Sequence, residues 1–148
     1  MPRSSAHAPV ASTGEAARVP TTTRQRSLRA LFTQASRIVA REYASQVLVD
    51  EVAARLCTSR RQLQRAYHVA GHPGLRAQLA QVRMEHAARM VCAPDPPTIT
   101  QLAQRVGYRS HSQFIKAFHR HYGMTPTAYR RAHRHSHPLH GALTSAAC

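Results

Sequence analysis

Two short stretches of this chain place side chains that can contact nucleic-acid bases on one face of a helix. In the first stretch, Arg61, Gln64 and Arg65 are three and four residues apart, which is the spacing of neighbours on a helix surface. Arginine forms paired hydrogen bonds with guanine, and glutamine does so with adenine, in the major groove of DNA. In the second stretch, Ser112 and Lys116 repeat this spacing. The pattern predicts two helices whose polar faces meet double-stranded DNA.

Capping signals place the second stretch in a helix-turn-helix. Thr98 and Gln101 have the spacing of a capping box, which starts a helix. Gly107 supplies the left-handed residue that ends this helix, and Ser110 with Gln113 forms a second capping box that starts the next one. The predicted inward positions of the two helices are Ile99, Leu102, Ala103, Val106, Phe114, Ala117 and Phe118.

Residues 49–70 repeat this unit. The offset is 50 residues before the turn and 51 after it, because Arg109 is an additional residue in the second copy. The matched pairs include Val52 and Leu102, Ala53 and Ala103, Ser59 and Ser110, Leu63 and Phe114, and Tyr67 and Phe118. Since caps, core positions and polar face all recur, two copies of one unit explain the pattern better than two unrelated helix pairs. Leu48 stands where the second copy has Thr98, so the first copy lacks that capping side chain.

The segments around the two copies position them. From Ser27, apolar residues recur at helical spacing and predict an amphipathic packing helix. The stretch between the copies predicts a linker helix with a single apolar side, formed by Leu75, Leu79, Val82, Ala87, Met90 and Val91. This helix would span roughly 25 Å and separate the copies by nearly one turn of DNA. The predicted organisation is a flexible basic arm at 1–26, a first helix-turn-helix subdomain at 27–74, a linker helix at 75–92, a second subdomain at 93–134 and a flexible histidine-containing tail at 135–148.

Charge indicates the class of partner. The 148 residues include 21 basic and 6 acidic ones, which gives a formal net charge of +15. Lys116 is the only lysine, so the other basic residues are arginines, which pair well with phosphate and guanine. The three cysteines are unpatterned, which favours reduced thiols over disulfides or a zinc site. The sequence shows no membrane-length apolar run and no signal-peptide core, so we expect a cytoplasmic protein without a membrane partner.

Other classes of function fit the pattern less well. Scattered carboxylates and the lack of a nucleophile motif argue against an enzyme. RNA is a weaker candidate partner, since its deep major groove excludes helices. Minor-groove contact by the arm, through Arg18, Arg24 and Arg26, is a secondary possibility. Loose metal binding by the tail is the alternative from a different class, and it would use His133, His135, His137 and His140.

The order of these elements resembles the DNA-binding domain of the AraC/XylS family of bacterial transcription regulators. The stretches RRQLQRAYHVAG, VRMEHAARMV, QLAQRVGYRSHSQFIKAFHRHYGMTP and TPTAYRR carry the resemblance, which covers about Ser27 to Arg134. It implies an all-α fold of about seven helices, with two helix-turn-helix subdomains joined by a long central helix. It also implies a cytoplasmic, nucleoid-associated transcription factor, often an activator, with no cofactor, metal site or catalytic residues.

The resemblance also implies how DNA is bound. A monomer would insert two recognition helices into successive major grooves of promoter DNA, with RNA polymerase as a further partner. The residues matching base-reading positions are Arg61, Gln64, Arg65, His111, Ser112 and Lys116, and those matching phosphate-contacting positions are Ser59, Arg60, Arg109 and Ser110. The segment before Ser27 is too short for the effector domain of many relatives. We therefore expect a single-domain member or a fragment of a longer effector-responsive regulator.

Three departures from the family pattern carry expectations of their own. Gln78 replaces an aromatic residue such as Tyr129, and His72 stands where the second half has Gly123, so the first half is expected to be looser. Ile115, on the second polar face, offers only apolar contact, for instance to a thymine methyl group.

Overall fold

The computed structural model describes residues 21–133. This part of the chain is entirely α-helical apart from its turns and loops, as the sequence predicts. The helices are α1 (Thr21–Glu42), α2 (Val49–Arg55), α3 (Arg60–Val69), α4 (Leu75–Val91), α5 (Ile99–Arg105), α6 (His111–Tyr122) and α7 (Pro126–His133). Helices α2 and α3 form the first helix-turn-helix, α5 and α6 form the second, and α4 joins them.

The first half is built on the long amphipathic helix α1. Its buried residues Ala35 and Val39 pack against α2, α3 and the start of α4. The remaining buried members of this core are Val52, Ala53, Leu63, Tyr67, Leu75 and Leu79. Burying these apolar side chains orders α2 and α3, which are too short to be stable helices by themselves.

A buried tyrosine and two polar side chains connect three helices of the first half. The Tyr67 hydroxyl donates to the side-chain oxygen of Gln78 over 2.7 Å, and the Gln78 amide donates to the Ser36 hydroxyl over 2.9 Å. Burial raises the pKa of Tyr67 to about 12, so the hydroxyl stays protonated and remains a donor. Gln78 thus links α3 to α1 through α4, and His72 stacks on Phe32 at 4.9 Å. Both departures from the family pattern are therefore packed residues.

The second half has its own aromatic core. Phe114 and Phe118 of α6 are fully buried and pack with residues of α4 and α5. Tyr129 of α7 meets Phe118 edge to face at 5.5 Å, which fixes α7 on this core. The other buried members are Met84, Ala87, Ala88, Val91, Leu102, Ala103 and Val106. The inward positions predicted for α5 and α6 lie at this core, with Ile99 and Ala117 only partly buried.

Helix α4 contacts the two cores with different sides. Leu75 and Leu79 belong to the first core, whereas Met84 and Val91 belong to the second. At about 100° of rotation per residue, these two pairs point in nearly opposite directions around the helix axis. The single apolar side predicted for this helix is therefore wrong, because helical periodicity does not distinguish residues that contact different cores. The two cores therefore lie on opposite sides of a shared helix.

One local expectation differs from the structure, at the start of α1. Helix α1 begins at Thr21 rather than Ser27, so residues 21–26, assigned to the arm, are helical. This places Arg24 and Arg26 on an exposed helix surface. In α7, Ala128 is exposed, and Pro126 is the buried residue of its first turn. The predictions for residues 1–20, including Arg18, and for residues 134–148, including His135, His137 and His140, lie outside the described residues.

Candidate DNA-binding interface

The second helix of each helix-turn-helix, α3 or α6, begins with a serine cap. The Ser59 hydroxyl accepts a hydrogen bond from the backbone N–H of Gln62 over 3.1 Å, and the Ser110 hydroxyl accepts one from Gln113 over 3.4 Å. These bonds satisfy one of the free backbone donors at each helix start. Only the box at Thr98 shows the reciprocal bond from the glutamine side chain. The predicted box at Ser110 therefore has one of its two bonds.

Helix α3 exposes its predicted base-reading face. Arg61, Gln64 and Arg65 are exposed, while Leu63 and Tyr67 on the opposite face are buried. Since the buried face fixes the rotation of the helix, the two arginines and the glutamine point away from the core. The first helix-turn-helix thus presents a cationic surface carrying donors suited to base edges.

Arg60, the first residue of α3, lies beside an acidic residue. Its guanidinium is 3.6 Å from the carboxylate of Asp50 in the first turn of α2, and both side chains are largely exposed. Leu48 caps α2 without any side-chain hydrogen bond, and a carboxylate at a helix start partly offsets that deficit. Such an exposed ion pair is weak, so Arg60 is free to exchange Asp50 for a phosphate.

Helix α6 presents a smaller polar face. His111, Ser112 and Lys116 are exposed, and Ser110 is half-buried at the cap. Ile115, expected on this face as a contact for thymine, is half-buried and packs against the second core. The reason is that Ile115 directly follows Phe114, so its side chain lies at the edge of the core. The two candidate faces therefore differ in both charge and chemistry.

An arginine of the linker helix connects the two halves. The Arg83 guanidinium donates through Nε to the carbonyl of Tyr43 over 2.7 Å and through Nη2 to that of Ser45 over 2.8 Å. These carbonyls follow the last turn of α1, where backbone acceptors lack helical partners. The same guanidinium lies 5.4 Å from the ring centre of Tyr108 in the second turn. Partial burial lowers the pKa of Arg83 and raises that of Tyr108.

The turn of the second helix-turn-helix approaches the end of α1 closely. Gly107 has a φ of +83°, and a Cβ atom there would lie 2.7 Å from the carbonyl oxygen of Ala44 and 2.8 Å from Arg83. Next in the turn, Arg109 donates to the side-chain oxygen of Gln46 over 2.7 Å. The residue that is additional in the second copy thus contacts the first half. We call Tyr43 to Gln46, Arg83, and Gly107 to Arg109 the inter-half joint.

The joint explains why the two turns differ in sequence. The position equivalent to Gly107 in the first half is Cys57, which also has a positive φ of 48° but is exposed. A left-handed conformation alone costs a non-glycine residue roughly 1–2 kcal/mol, which the first half tolerates. Of the two turns, only the second must also accommodate the backbone of Ala44, just after α1, which leaves no room for a Cβ atom.

Alanine substitutions at Gly107 and Cys57 should therefore lower the free energy of unfolding by different amounts. We expect Gly107→Ala to lower the free energy of unfolding by at least about 2 kcal/mol, because conformational strain and a steric clash combine. Cys57→Ala should change it by less than about 0.5 kcal/mol, because it adds no conformational strain. Gly123→Ala is the matched control, since Gly123 has a φ of +72° and no atom within 4 Å of an added Cβ, so it adds only the strain of about 1–2 kcal/mol. Urea denaturation followed by circular dichroism measures all three. Equal effects of Gly107→Ala and Gly123→Ala would show that the approach to Ala44 is unimportant.

Arg83 and Gln46 were not predictable from the sequence pattern. Arg83 lies between the two apolar sides of α4, where helical periodicity assigns a charged residue to solvent. Its partners are 38 and 40 residues away, so no local pattern signals them. Arg109 was visible as the extra residue of the second turn, but its expected role was phosphate contact. The structure leaves its side chain exposed while giving it a bond to Gln46.

Within residues 21–133, no helix has the length and apolarity needed to cross a bilayer. The same residues contain no group of three or more histidine, cysteine, aspartate or glutamate side chains able to hold a metal ion. Of the tail histidines, His133 is described, and its ring stacks on Tyr129 at 4.0 Å.

Comparison with known proteins identifies the family. A family model described as a helix-turn-helix domain matches residues 52–132, which is more than half of the chain. The Msm operon regulatory protein of Streptococcus mutans is 26% identical over 105 residues, a match that covers 71% of this chain and 37% of that protein. The chain thus spans little more than a third of the length of this relative.

Solved structures share the fold over most of the described residues. The DNA-binding domain of AdpA, a global transcriptional factor crystallised with a target DNA, is 28% identical with a TM-score of 0.63; the match covers 71% of this chain and 94% of that one. A transcriptional regulator with an AraC-type DNA-binding domain from Chromobacterium violaceum has a TM-score of 0.64 at 23% identity, covering 74% and 96% of the two chains. With two capped helix-turn-helix units on one linker helix, the chain belongs to the AraC/XylS family of DNA-binding transcription regulators.

Proposed function

We propose that this protein regulates transcription by inserting α3 and α6 into successive major grooves of one promoter segment. The observation that carries the proposal is the repeated geometry of the two helices. Each begins at a serine cap, buries an aromatic face and exposes polar side chains on the opposite face. Two such helices on a shared linker suit two half-sites about 10 base pairs apart on one face of the duplex.

The proposed roles of individual residues follow the positions that match the family pattern. Exposed side chains of the two helices read bases, and these are Arg61, Gln64 and Arg65 on α3 and His111, Ser112 and Lys116 on α6. Groups at the helix starts hold phosphates, where backbone N–H donors and the helix dipole favour anions, and these are Ser59, Arg60, Arg109 and Ser110. The exposure of all but the half-buried Ser110 supports this assignment.

The proposal also includes the number of chains bound per site and the effect on transcription. Since the face of α3 carries three arginines and that of α6 a single lysine, the preferred site should be asymmetric and one chain should suffice to bind it. The resemblance to the family implies activation, with RNA polymerase as a partner. In this proposal the regulator acts in the bacterial cytoplasm, at the nucleoid.

Substitutions on α3 test the proposal directly. Binders selected from a random DNA pool would supply the specific site. On that site we expect Arg61→Ala and Gln64→Ala each to cost about 1–3 kcal/mol of binding free energy, with little change on unrelated DNA, because each removes contacts to base edges. Fluorescence anisotropy titrations with both DNAs measure the difference.

Arg60→Ala is the matched control on the same helix. It should weaken binding to both DNAs and reduce the dependence of log affinity on log salt by about one ion, as loss of a phosphate contact does. If Arg61→Ala also weakened binding equally on both DNAs, Arg61 would be a phosphate contact and the base-reading assignment would fail. Failure to select any preferred sequence from the pool would refute sequence-specific recognition altogether.

A further inference from the structure

We infer that the inter-half joint, in addition to the linker helix, sets the separation and rotation of the two recognition helices and thereby the spacing of the half-sites. This inference rests on the proposed function, because spacing matters only if both helices bind one DNA. It assigns Arg83 and Gln46, which carry no base or phosphate contact in that proposal, as positioning residues for specificity.

Apart from the joint and α4, few contacts connect the two halves within residues 21–133. Among residues 22–133, Tyr43 is the side chain that packs against both hydrophobic cores. Beside the joint lies an open cleft of about 750 Å³ lined by Gln46, Arg83, Gln104 and Arg109 among others. The halves therefore do not meet through a broad apolar interface. Apart from α4 itself, the contacts that fix their relative orientation are concentrated in the joint.

Helix α4 by itself does not fully fix the orientation of the two halves. Long helices curve gently, and a change of curvature near the middle of α4 would shift α3 and α6 relative to each other. Arg83 sits near the middle of α4 and binds the end of α1 on one side and the Tyr108 ring on the other. Arg83 therefore opposes bending at the middle of α4, where a bend would displace α3 and α6 most relative to each other.

The joint also depends on the chemistry of its contacts. The planar Arg83 guanidinium uses two nitrogens on two carbonyls while its central carbon lies over the Tyr108 ring, an arrangement that an ammonium group cannot reproduce. Gly107 permits the close approach, and Arg109 with Gln46 adds a second polar connection beside it. Three consecutive residues of the second turn, Gly107, Tyr108 and Arg109, therefore take part in the joint.

The test measures the geometry first without DNA. Spin labels on the exposed Cys57 and on Ser112→Cys, with Cys92→Ala and Cys148→Ala, report the distance between the two helix-turn-helix units. We expect a narrow distance distribution for this background and a broader one after adding Arg83→Met and Gln46→Ala. The matched control, Arg89→Met with Gln34→Ala, removes the same side-chain types from exposed positions of α4 and α1 and should leave the distribution narrow.

The second readout is the tolerance for half-site spacing. On the selected site with one base pair inserted, the unsubstituted protein should lose at least about tenfold in affinity, because DNA or protein must deform to restore register. The variant carrying Arg83→Met and Gln46→Ala should bind more weakly at the native spacing but lose much less on insertion. Arg83→Lys, which keeps the charge and disturbs the fold less, should show the same loss of spacing discrimination in milder form.

The outcomes separate this inference from the proposed function. A distance distribution as narrow in the joint variants as in the control would overturn the inference, and so would a broader distribution with unchanged spacing discrimination. If the affinity of the unsubstituted protein does not depend on half-site spacing, the proposed binding by two helices is wrong. The spin-label measurement still decides whether the joint holds the halves in place.

Discussion

Insertion of five base pairs between the two half-sites is expected to lower the affinity of the protein at least about 30-fold, because it removes two or more base contacts worth about 1–3 kcal/mol each. Five base pairs turn the second half-site to the opposite side of the duplex and move it roughly 17 Å along the axis. Helix α4 is continuous over residues 75–91, so the second unit cannot follow its target. Only one recognition helix would then remain engaged.

An insertion of ten base pairs is the informative control. It restores the face of the duplex but leaves the half-sites about 34 Å further apart, beyond the reach of one chain. We therefore expect no recovery of affinity with ten base pairs. Recovery would indicate two chains bound separately or a flexible connection between the halves. Unchanged affinity after the five-base-pair insertion would show that only one helix-turn-helix binds, which would contradict the proposed function.

The second large effect is expected for Phe118→Ala, which should cost roughly 3–5 kcal/mol of the free energy of unfolding. Phe118 is fully buried and lies within 6 Å of Phe114, Tyr122 and Tyr129, measured between ring centres. Truncation would leave a cavity where α6 and α7 meet. Since domains of this size are stable by about 5–15 kcal/mol, much of the stability of the second half would be lost.

Urea denaturation followed by circular dichroism tests this expectation. Arg120→Ala, an exposed position two residues further along α6, is the control and should change the free energy of unfolding by less than about 0.5 kcal/mol. A Phe118→Ala protein with a midpoint equal to that of the control would mean that α6 is not held by its aromatic face. The same variant should lose binding to the second half-site before it loses binding to the first.

Local patterns in the sequence were sufficient for the fold class and the two repeated units. Caps at Ser59, Thr98 and Ser110 and the left-handed turn at Gly107 depend on residues within three or four positions, so composition and spacing reveal them. The buried aromatic faces follow from helical periodicity in the same way. The exposed faces of α3 and α6 were predictable because they are what remains once the inward positions are assigned. Their roles toward bases and phosphates remain predictions.

Only the tertiary structure decided how the halves are oriented. Leu79 and Val91 of α4 belong to one predicted stripe in sequence but contact different cores, because periodicity does not say which core a residue contacts. Arg83 and Gln46 find their partners 38 to 63 residues away, and a single sequence carries no signal at that distance. The sequence thus determined two helix-turn-helix units and a linker helix. Their relative placement depends on long-range contacts that form only when both halves have folded against α4.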